Sequence, residues 1–480
     1  MALSKIMKLN KSEYLDKMRA CWIGKNIGGT MGGPYEGTRD ILDVKGYTTE
    51  KGEPLPNDDL DLQLVWLRAI EERGISKINA QVLGEYWLNF VVGEWNEYGI
   101  AKANMRMGLL PPYSGEYNNE KWKHSNGAWI RTELWACLFP GFPDLAIRYA
   151  YSDACVDHGM GEGTYAAIFV AALESAAFFE NDLMTLIEKG LSYIPEDCRV
   201  AQTVRLAISC YEQKMDWKDT RNKIVEFNAD LGWFQAPANV SFVVLGLLYG
   251  EGDYKKSMLY TVNCGDDTDC TAATIGSIMG LMNGMAGIPS DWADYIGDKI
   301  ISIATNSACG SWAKSCEELI ERVYRLVPSC LLTAEIYMEY TDGETELGAP
   351  SYSYNLRHKF QLPSTGLAID YDLIYAYGRV EMSACEVHPG DEVELKFTFK
   401  NVNDWPHQIE VELELPETWT ADKKYAKMFI RRPFEDMEAS ATIKVTAGEN
   451  VDLKNIITAK ISAQSRPTKI LSEIVIWGKN

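Results

Sequence analysis

Apolar side chains recur at helical spacing through the first 330 residues, without strand-like alternation of any length. The run Asn10 to Glu13 fits a capping box, which predicts a first helix from about residue 11 into the twenties that ends in glycines. A second helix is expected to open at Asp58 and Asp59 and to stop near Gly74. The region is therefore predicted to be all-α. Further helices are predicted over Leu83 to Val92, Glu133 to Leu138, Pro143 to Ser152, Thr164 to Phe179, Asp182 to Ile194, Cys198 to Glu212, Trp233 to Tyr249 and the segment after Asp269, followed by helical segments up to about Leu332.

The spacing changes after about residue 375, where apolar and polar residues alternate. Every second residue from Val393 to Phe399 and from Ile409 to Leu415 is apolar, and Pro389-Gly390-Asp391 marks a turn. Short alternating strands of this kind predict an all-β, immunoglobulin-like sandwich of about a hundred residues. The predicted organisation is an all-α domain over 1–340, a connecting segment over 341–375 and a β-sandwich domain over 376–480.

Two stretches of the first domain depart from a plain helical pattern. The run from Gly24 to Gly37 holds too many glycines for an isolated stable helix, which predicts close backbone packing or close approach of a ligand. It is a weak phosphate loop, because no GK[ST] follows and no strand precedes it. Between roughly 95 and 130 the pattern loosens into Gly, Pro, Asn and Tyr, and a loop of that length in a compact domain is more often functional than not.

The composition of the chain argues against some classes of function and indicates its cellular compartment. The formal net charge of −21 argues against nonspecific nucleic-acid binding and against anionic membrane surfaces, because both need clustered Lys and Arg. The chain has 11 Cys, mostly in apolar helical contexts, which predicts reduced, buried thiols. The N-terminus has no apolar h-region, and no window reaches about eighteen uninterrupted apolar residues. We expect a cytoplasmic protein, although a chain whose signal peptide had been removed would look the same.

Acidic residues are concentrated in two short motifs. One is Gly265-Asp266-Asp267-Thr268-Asp269, and the other, far upstream, is Asn57-Asp58-Asp59. Carboxylates packed this closely repel one another, and outside water they need a proton or a cation among them. Oxygen ligands suit Mg²⁺, Ca²⁺ or Mn²⁺, and no HExxH or paired CxxC indicates zinc. Either motif alone is also typical of an exposed helix N-terminus, but both lead into strongly apolar helices that should be buried.

With these motifs, the first 300 residues resemble the ADP-ribosylglycohydrolase family (dinitrogenase reductase-activating glycohydrolase-like), an all-α fold with a two-magnesium site. Gly32 to Glu36 matches the family's G-x-P-x-E after a glycine-rich helix, and Asn57 to Leu60 approximates T-D-D-T. Asn126 to Arg131 approximates S/N-G-x-x-M-R. Asp157-His158 stands where the family has a T-H pair, and Gly265 to Cys270 approximates G-G-D-T-D-T.

The resemblance implies a metal site built from aspartates. Asp58, Asp59, Asp267 and Asp269 match ligand positions of the family. Asn57 stands at the position of a ligating Thr, and an amide oxygen can replace that neutral donor. The implied cofactor is two Mg²⁺ ions, with Mn²⁺ as an alternative.

Three positions depart from the family pattern. Cys270 replaces the last ligating Thr, and a Cys sulfur is a poor partner for Mg²⁺. Gly29 stands where the family has an Asp in the first helix. Asp266 replaces the second Gly of the final motif and is expected to add a carboxylate.

The resemblance also implies the reaction, which is hydrolysis at the anomeric carbon of an ADP-ribose-like or other furanosyl unit, with a small-molecule or protein-linked glycosyl substrate. Glu36 matches a mobile carboxylate near the scissile bond, and Asp267 is a second candidate base. Asn126, Gly127 and His158 match positions that line the substrate pocket. Taken without the resemblance, Glu36 also fits a solvated loop residue, and His158 fits a packing histidine.

Two other functions stay open from the sequence. A carbohydrate-active glycosidase acting on a non-nucleotide sugar is suggested by the appended sandwich and by 14 Trp and 25 Tyr, although core packing explains the aromatic residues as well. A catalytically silent nucleotide- or sugar-binding relative fits Asn57, Cys270 and Gly29. Retention of the four aspartates and Glu36 argues against it, because a degenerate site has no reason to keep mutually repelling carboxylates. The sequence assigns no leaving group, no oligomeric state and no role to the sandwich.

Overall fold

The computed structural model describes residues 6–309, 312–334, 336–347, 368–372, 376–401, 406–431, 438–464 and 469–479. The chain divides into two compact units, Met1–Ser351 and Tyr352–Asn480. Of the predicted connecting segment over 341–375, residues 348–367 and 373–375 lie outside the described residues.

The first unit is helical. Helix α1 (Lys11–Gly32) begins at Asn10, whose side chain accepts the backbone N–H of Glu13, and α2 (Asp58–Arg73) ends at Gly74. No described helix is long and apolar enough to cross a membrane. The other helices of the described chain are α3 (Ala80–Phe90), α4 (Asn96–Arg106), α5 (Tyr113–Glu116), α6 (Glu133–Leu138), α7 (Pro143–His158), α8 (Glu162–Ala177), α9 (Leu183–Leu191), α10 (Arg199–Glu212), α11 (Trp217–Phe227), α12 (Ala236–Gly250), α13 (Tyr254–Asn263), α14 (Thr268–Asn283), α15 (Ser290–Ile296) and α16 (Cys316–Leu332).

Several of the helix predictions need correction. The loose segment between 95 and 130 contains α4 and α5, and α7 continues beyond Ser152 to His158. Helices α11 and α13 are absent from the predicted set. The buried face of α11 consists of Thr220, Arg221 and Ile224, so polar residues conceal its period in the sequence.

The first helix continues past residue 29 and ends at Gly32, because a seam of small residues allows it to pack closely against α14. A Cβ added at Gly24 or Gly28 would lie 2.2 or 2.0 Å from the carbonyl oxygens of Gly276 and Ala272. Gly32 meets the Thr268 carbonyl oxygen in the same way, at 2.1 Å. Glycine lowers intrinsic helix propensity, but burial against α14 stabilises the helix through the seam. Of the two explanations offered for the glycine run, close backbone packing accounts for these positions.

A short ladder is the exception to the helical character of this unit. Strand β1 (Met7–Asn10) pairs in parallel with β2 (Met338–Thr341), and Met7 lies opposite Met338. Four residues give too little alternation to be recognised in a sequence. The ladder ties the beginning of the described chain to the segment that follows α16.

The second unit is all-β. Its strands form two five-stranded sheets, in the orders β3-β4-β6-β10-β8 and β5-β12-β11-β7-β9. Alternate residues such as Leu395, Phe397 and Ile461 are fully buried, as the period of two predicts. The strands are β3 (Ala368–Asp372), β4 (Ala376–Met382), β5 (Glu386–Val387), β6 (Glu392–Asn401), β7 (His407–Glu414), β8 (Thr420–Ala421), β9 (Tyr425–Ile430), β10 (Glu438–Thr446), β11 (Lys454–Ala463) and β12 (Lys469–Gly478).

Candidate active site

Five carboxylates from three parts of the first unit meet beside the glycine seam. Acidic pairs lie at the beginnings of α2 and α14, and the fifth carboxylate follows the 3-10 turn at the end of α1. Because α1 and α14 pack backbone to backbone, segments far apart in the sequence reach the same place. We call the group the acidic cluster, and its members are Glu36, Asp58, Asp59, Asp267 and Asp269.

Two overlapping sets of ligand atoms are close enough to share a cation. Carboxylate oxygens of Glu36, Asp267 and Asp269 all lie within 4.8 Å of one another. The Asp59 and Asp269 oxygens and the Cys270 sulfur form a second such set. Asp269 belongs to both sets, so it is the centre of the arrangement.

Several oxygens of the cluster are buried without a hydrogen-bond partner. They are one oxygen each of Asp59, Asp267 and Asp269. Asp59 and Asp267 are fully buried residues, so water does not compensate them. Unpartnered carboxylate oxygens in the interior are costly unless a cation sits among them. An all-oxygen set of this kind fits Mg²⁺ or Mn²⁺.

The pKa values of the carboxyl groups also indicate that the acidic cluster needs a cation. Burial, with the negative charges of Asp269 and Asp58, raises the pKa of Glu36 to about 7. Burial and the charge of Asp269 raise the pKa of Asp58 to about 7. Burial also raises the pKa of Asp59 and of Asp267 well above their usual range. These groups therefore ionise readily only when a positive charge compensates them.

Asn126 lies directly against the acidic cluster. Its Nδ2 donates to Asp267 Oδ2 at 2.6 Å, and its Oδ1 accepts the indole N–H of Trp129 at 3.0 Å. The amide is thereby fixed with its donor towards the carboxylate. The neighbouring Gly127 packs closely, since a Cβ there would lie 2.3 Å from Glu97 Oε1.

His158 lies in a different environment from the other predicted pocket residues. Its ring is fully buried, with Nε2 3.0 Å from the Ser125 hydroxyl and Nδ1 2.9 Å from Asp157 Oδ1. These contacts are with buried polar groups rather than with members of the acidic cluster. With Glu97 and Asp157, His158 offers ligand atoms that all lie within 4.8 Å of one another, next to a second charged group.

That second group, the arginine cluster, consists of Arg131, Asp153 and Asp157. The Nε of Arg131 donates to Asp153 at 2.9 Å, and Nη2 donates to Asp157 at 2.7 Å. All three residues are fully buried, and the guanidinium lies 4.9 Å from the centre of the Trp87 ring. The carboxylates raise the pKa of Arg131 although burial alone would lower it, so the cluster supplies its own cation.

Asp266 does not add a carboxylate to the acidic cluster, contrary to the expectation from its motif. Its Oδ1 lies 3.8 Å from Arg39 Nε and 3.9 Å from an Arg221 nitrogen. The backbone at Asp266 has φ +61°, a region that favours glycine, and glycine is the residue expected at this motif position. Backbone hydrogen bonds join Asp266 to Gly37 and Thr38, just after Glu36.

The two other departures from the family pattern also have structural partners. Gly29 makes room for Asn57, because a Cβ at Gly29 would lie 2.0 Å from the Asn57 amide nitrogen. The Asn57 oxygen accepts the Asp59 backbone N–H at 2.9 Å, so this amide caps α2. Cys270 is a buried free thiol whose S–H donates to Asp59 Oδ1 at 3.4 Å.

Sequence reasoning missed three side chains that contact the cluster. Tyr98 donates its hydroxyl to Asp58 Oδ2 at 3.3 Å, and Asn239 Oδ1 accepts the Asp267 backbone N–H at 3.1 Å. Lys25 Nζ lies 4.0 Å from Asp59 Oδ2. Lys25 left a signal, as the one basic residue inside the glycine-rich run. Tyr98 and Asn239 left no signal in the sequence, because only packing brings them to the site.

Comparison with known proteins agrees with this arrangement of motifs and helices. The family model described as ADP-ribosylglycohydrolase matches residues 10–328, more than half of the chain. The chain belongs to the ADP-ribosylglycohydrolase family. As a member it is a hydrolase that acts on glycosidic bonds, and its family is generally metal-dependent. A search of curated proteins gave no match.

Solved structures were compared as well. An ADP-ribosylglycohydrolase-related protein complex is 18% identical, over 66% of this chain and 99% of the other, with a TM-score of 0.45. The cupredoxin domain of amoB from Nitrosocaldus yellowstonii is 9% identical, over 22% and 89%, with a TM-score of 0.17. The GAE domain of GGA2p from Saccharomyces cerevisiae is 16% identical, over 23% and 96%, with a TM-score of 0.16.

Proposed function

We propose that this member of the ADP-ribosylglycohydrolase family is a magnesium-dependent enzyme that cleaves the glycosidic bond at the anomeric carbon of an ADP-ribose-like or other furanosyl unit. One observation carries the proposal. The acidic cluster holds buried carboxylate oxygens of Asp59, Asp267 and Asp269 that accept no hydrogen bond. Buried carboxylate oxygens without a partner cost stability, and they suit a site whose counter-charge is supplied from outside the chain.

The residues proposed to hold divalent cations are the four aspartates, with Asn57 as an additional neutral donor. A bound Mg²⁺ would orient sugar hydroxyls and lower the pKa of a water. Asn126 keeps Asp267 in one orientation through its 2.6 Å hydrogen bond. The Asn239 oxygen holds the backbone at the same residue. Asp267 is thereby fixed at the start of α14 before any ligand binds.

Glu36 is proposed to move the proton in the hydrolytic step, with Asp267 as the second candidate base. Glu36 is an exposed residue, and its carboxylate lies within 4.8 Å of those of Asp267 and Asp269. Its pKa of about 7 lies near neutral pH, where a carboxyl group can both accept and return a proton. Position and proton affinity together favour Glu36 over the buried aspartates.

An exposed aromatic surface beside the cluster supports a substrate that carries a ring system. The Trp95 side chain is 44% exposed, and its ring centre lies 5.7 Å from that of Tyr98. Tyr98 in turn donates its hydroxyl to Asp58. The partly exposed Trp95 indole, joined to Asp58 through Tyr98, suits stacking of a sugar ring or a nucleobase.

The experiment is a hydrolysis assay on metal-free protein with and without Mg²⁺. Substrates are ADP-ribosyl groups linked to Arg or Ser, a furanoside without a nucleotide, and a pyranoside. We expect cleavage of an ADP-ribosyl or furanosyl substrate that EDTA abolishes and Mg²⁺ restores. Cleavage of the pyranoside alone would favour the carbohydrate-active alternative, and binding without cleavage would favour the silent relative.

A pair of variants assigns the proton-transfer role. Glu36→Gln is expected to lower kcat by about 10²-fold or more, because the amide cannot exchange the proton. Glu120→Gln changes a largely exposed glutamate elsewhere in the unit and should leave kcat unchanged. Equal activity of both variants would remove Glu36 from the mechanism.

A further inference from the structure

The acidic cluster is electrostatically asymmetric. At one end, which we call the Glu36 end, Glu36, Asp267 and Asp269 come together. At the other, the Asp59 end, Asp59 lies between Lys25 and Cys270. Given the proposed metal dependence, this asymmetry bears on how many ions the chain needs.

Lys25 is a cation built into the Asp59 end. It is fully buried, and its ammonium group donates to Glu133 Oε1 at 2.6 Å and to the Ile130 carbonyl oxygen at 2.7 Å. The same Nζ lies 4.0 Å from Asp59 Oδ2, the oxygen that has no hydrogen-bond donor. Lys25 lies on α1 among the seam glycines, so packing fixes its place. Its positive charge is therefore a permanent part of the site.

The second oxygen of Asp59 is also engaged by the protein. Cys270 donates its S–H to Asp59 Oδ1 at 3.4 Å. In this hydrogen bond the sulfur carries the proton and the carboxylate oxygen accepts it. A neutral thiol is a weak ligand for Mg²⁺ or Mn²⁺. At this end a divalent ion would have to displace the S–H and approach a fixed ammonium group.

The Glu36 end lacks such compensation. Among the described residues, no Lys or Arg nitrogen lies within ion-pair distance of Glu36, Asp267 or Asp269, whereas Asp59 has Lys25. One oxygen of Asp267 and one of Asp269 are buried without a partner. This end has oxygen donors and no cation of its own.

We propose that the Glu36 end binds one divalent ion tightly, whereas Lys25 acts as a fixed cation for Asp59 and makes a second ion weak. Lys25 is then a positioning residue, which holds the Asp59 carboxylate where a second metal ion would otherwise hold it. The chain would work with one tightly bound ion, in contrast to the two that the family resemblance implies.

The test is titration of Mn²⁺ into the metal-free, full-length protein by calorimetry, with free Mn²⁺ counted by electron paramagnetic resonance. For the unchanged protein we expect one tight ion per chain and a second at least about tenfold weaker. Asp269→Asn should remove the tight ion, because Asp269 belongs to both ligand sets. Asp59→Asn should leave the tight ion within about threefold of its original affinity.

Removing the internal cation should strengthen the second ion. The variant is Lys25→Met combined with Glu133→Gln, which removes both charges of the buried pair and leaves no uncompensated carboxylate at residue 133. We expect its second ion to bind about tenfold more tightly than in the unchanged protein. Glu133→Gln alone keeps Lys25 and should bind no second tight ion.

Lys102→Met is the matched control, because Lys102 is a buried lysine that donates to backbone carbonyl oxygens of Val91 and Gly93. It should leave both affinities unchanged. Two ions of equal affinity in the unchanged protein, or loss of the tight ion in Asp59→Asn, would overturn the inference even if the Lys25 variant did not fold. A folded double variant whose second ion stays weak would also overturn it. Absence of any saturable Mn²⁺ binding would instead contradict the proposed metal dependence itself.

Discussion

The arginine cluster and the acidic cluster are both groups of buried carboxylates in the same helical unit, yet they are satisfied in different ways. In the arginine cluster, Arg131 forms hydrogen bonds with Asp153 and Asp157 at 2.7–3.2 Å. In the acidic cluster, one oxygen of Asp267 and one of Asp269 accept no hydrogen bond. The first group is complete within the chain, whereas in the second only Asp59 has a nearby cation, Lys25.

This difference separates structural charge from functional charge. A buried ion pair that is hydrogen-bonded on all sides contributes to the fold, and its loss leaves an uncompensated charge. A buried carboxylate without a partner costs stability and persists where a ligand compensates it. Perturbing the two clusters should therefore affect different properties, stability in one case and ion binding in the other.

The largest expected effect is that of Arg131→Met, which should lower the free energy of unfolding. It leaves Asp153 and Asp157 buried without their cation, and breaking such a pair costs about 3–5 kcal/mol of the free energy of unfolding. Denaturant unfolding of the helical unit measures the change. Arg325→Met, at an exposed pair with Glu321, is the control and should change the free energy by less than about 1 kcal/mol. A loss of similar size in both variants would remove the contrast between the clusters.

Asp269→Asn should instead weaken the binding of the divalent ion. In the unchanged protein, Mg²⁺ at a hundred times its Kd should add about 2.7 kcal/mol to the free energy of unfolding, and the variant should lose this gain. The metal-free variant should be no less stable than the unchanged protein, because one repelling charge is gone. Thermal unfolding with and without Mg²⁺ tests both statements. Asp266→Asn, whose carboxylate faces Arg39 and Arg221, should keep the Mg²⁺ response.

The pH dependence of stability should show a smaller effect of the uncompensated carboxylates. The pKa of Glu36 and that of Asp58 rise from 4.5 and 3.8 to about 7 in the folded, metal-free protein. Groups with raised folded values stabilise the fold below the unfolded pKa, and this contribution is lost as the pH rises through 7. The Tm of metal-free protein should therefore fall by about 3 °C between pH 5 and pH 8, and Mg²⁺ should suppress the fall. A metal-free Tm that rises over this range would show that these carboxyl groups are compensated within the chain.

Cys270→Thr should give the smallest effect. The hydroxyl adds an oxygen donor beside Asp59, but Lys25 remains 4.0 Å from that carboxylate. The affinity of the weaker Mn²⁺ ion should rise by less than about tenfold, measured by calorimetry. Cys198→Ser, at the N-cap of α10, serves as the control because Ser suits a cap. An unchanged tight ion is expected in both variants.

The sequence alone determined most of the fold and the acidic members of the site. The capping signals at Asn10 and the stop at Gly74 define helix ends because they act through neighbouring residues. Alternation from Val393 to Phe399 identifies the β unit for the same local reason. The two Asp-rich motifs are visible because they are short, and together with three other motifs in the family's order they carried the resemblance.

Only the tertiary structure decided how far α1 continues and what surrounds each carboxylate. The run to Gly32 depends on α14, whose backbone supplies the packing that glycine lacks by itself. Asp266 lies beside Asp267 in the chain yet faces two arginines. Lys25 is a single basic residue in sequence and becomes the counter-charge of Asp59 through burial. Helical and strand periods are local properties, whereas the balance of buried charge depends on residues that only folding brings together.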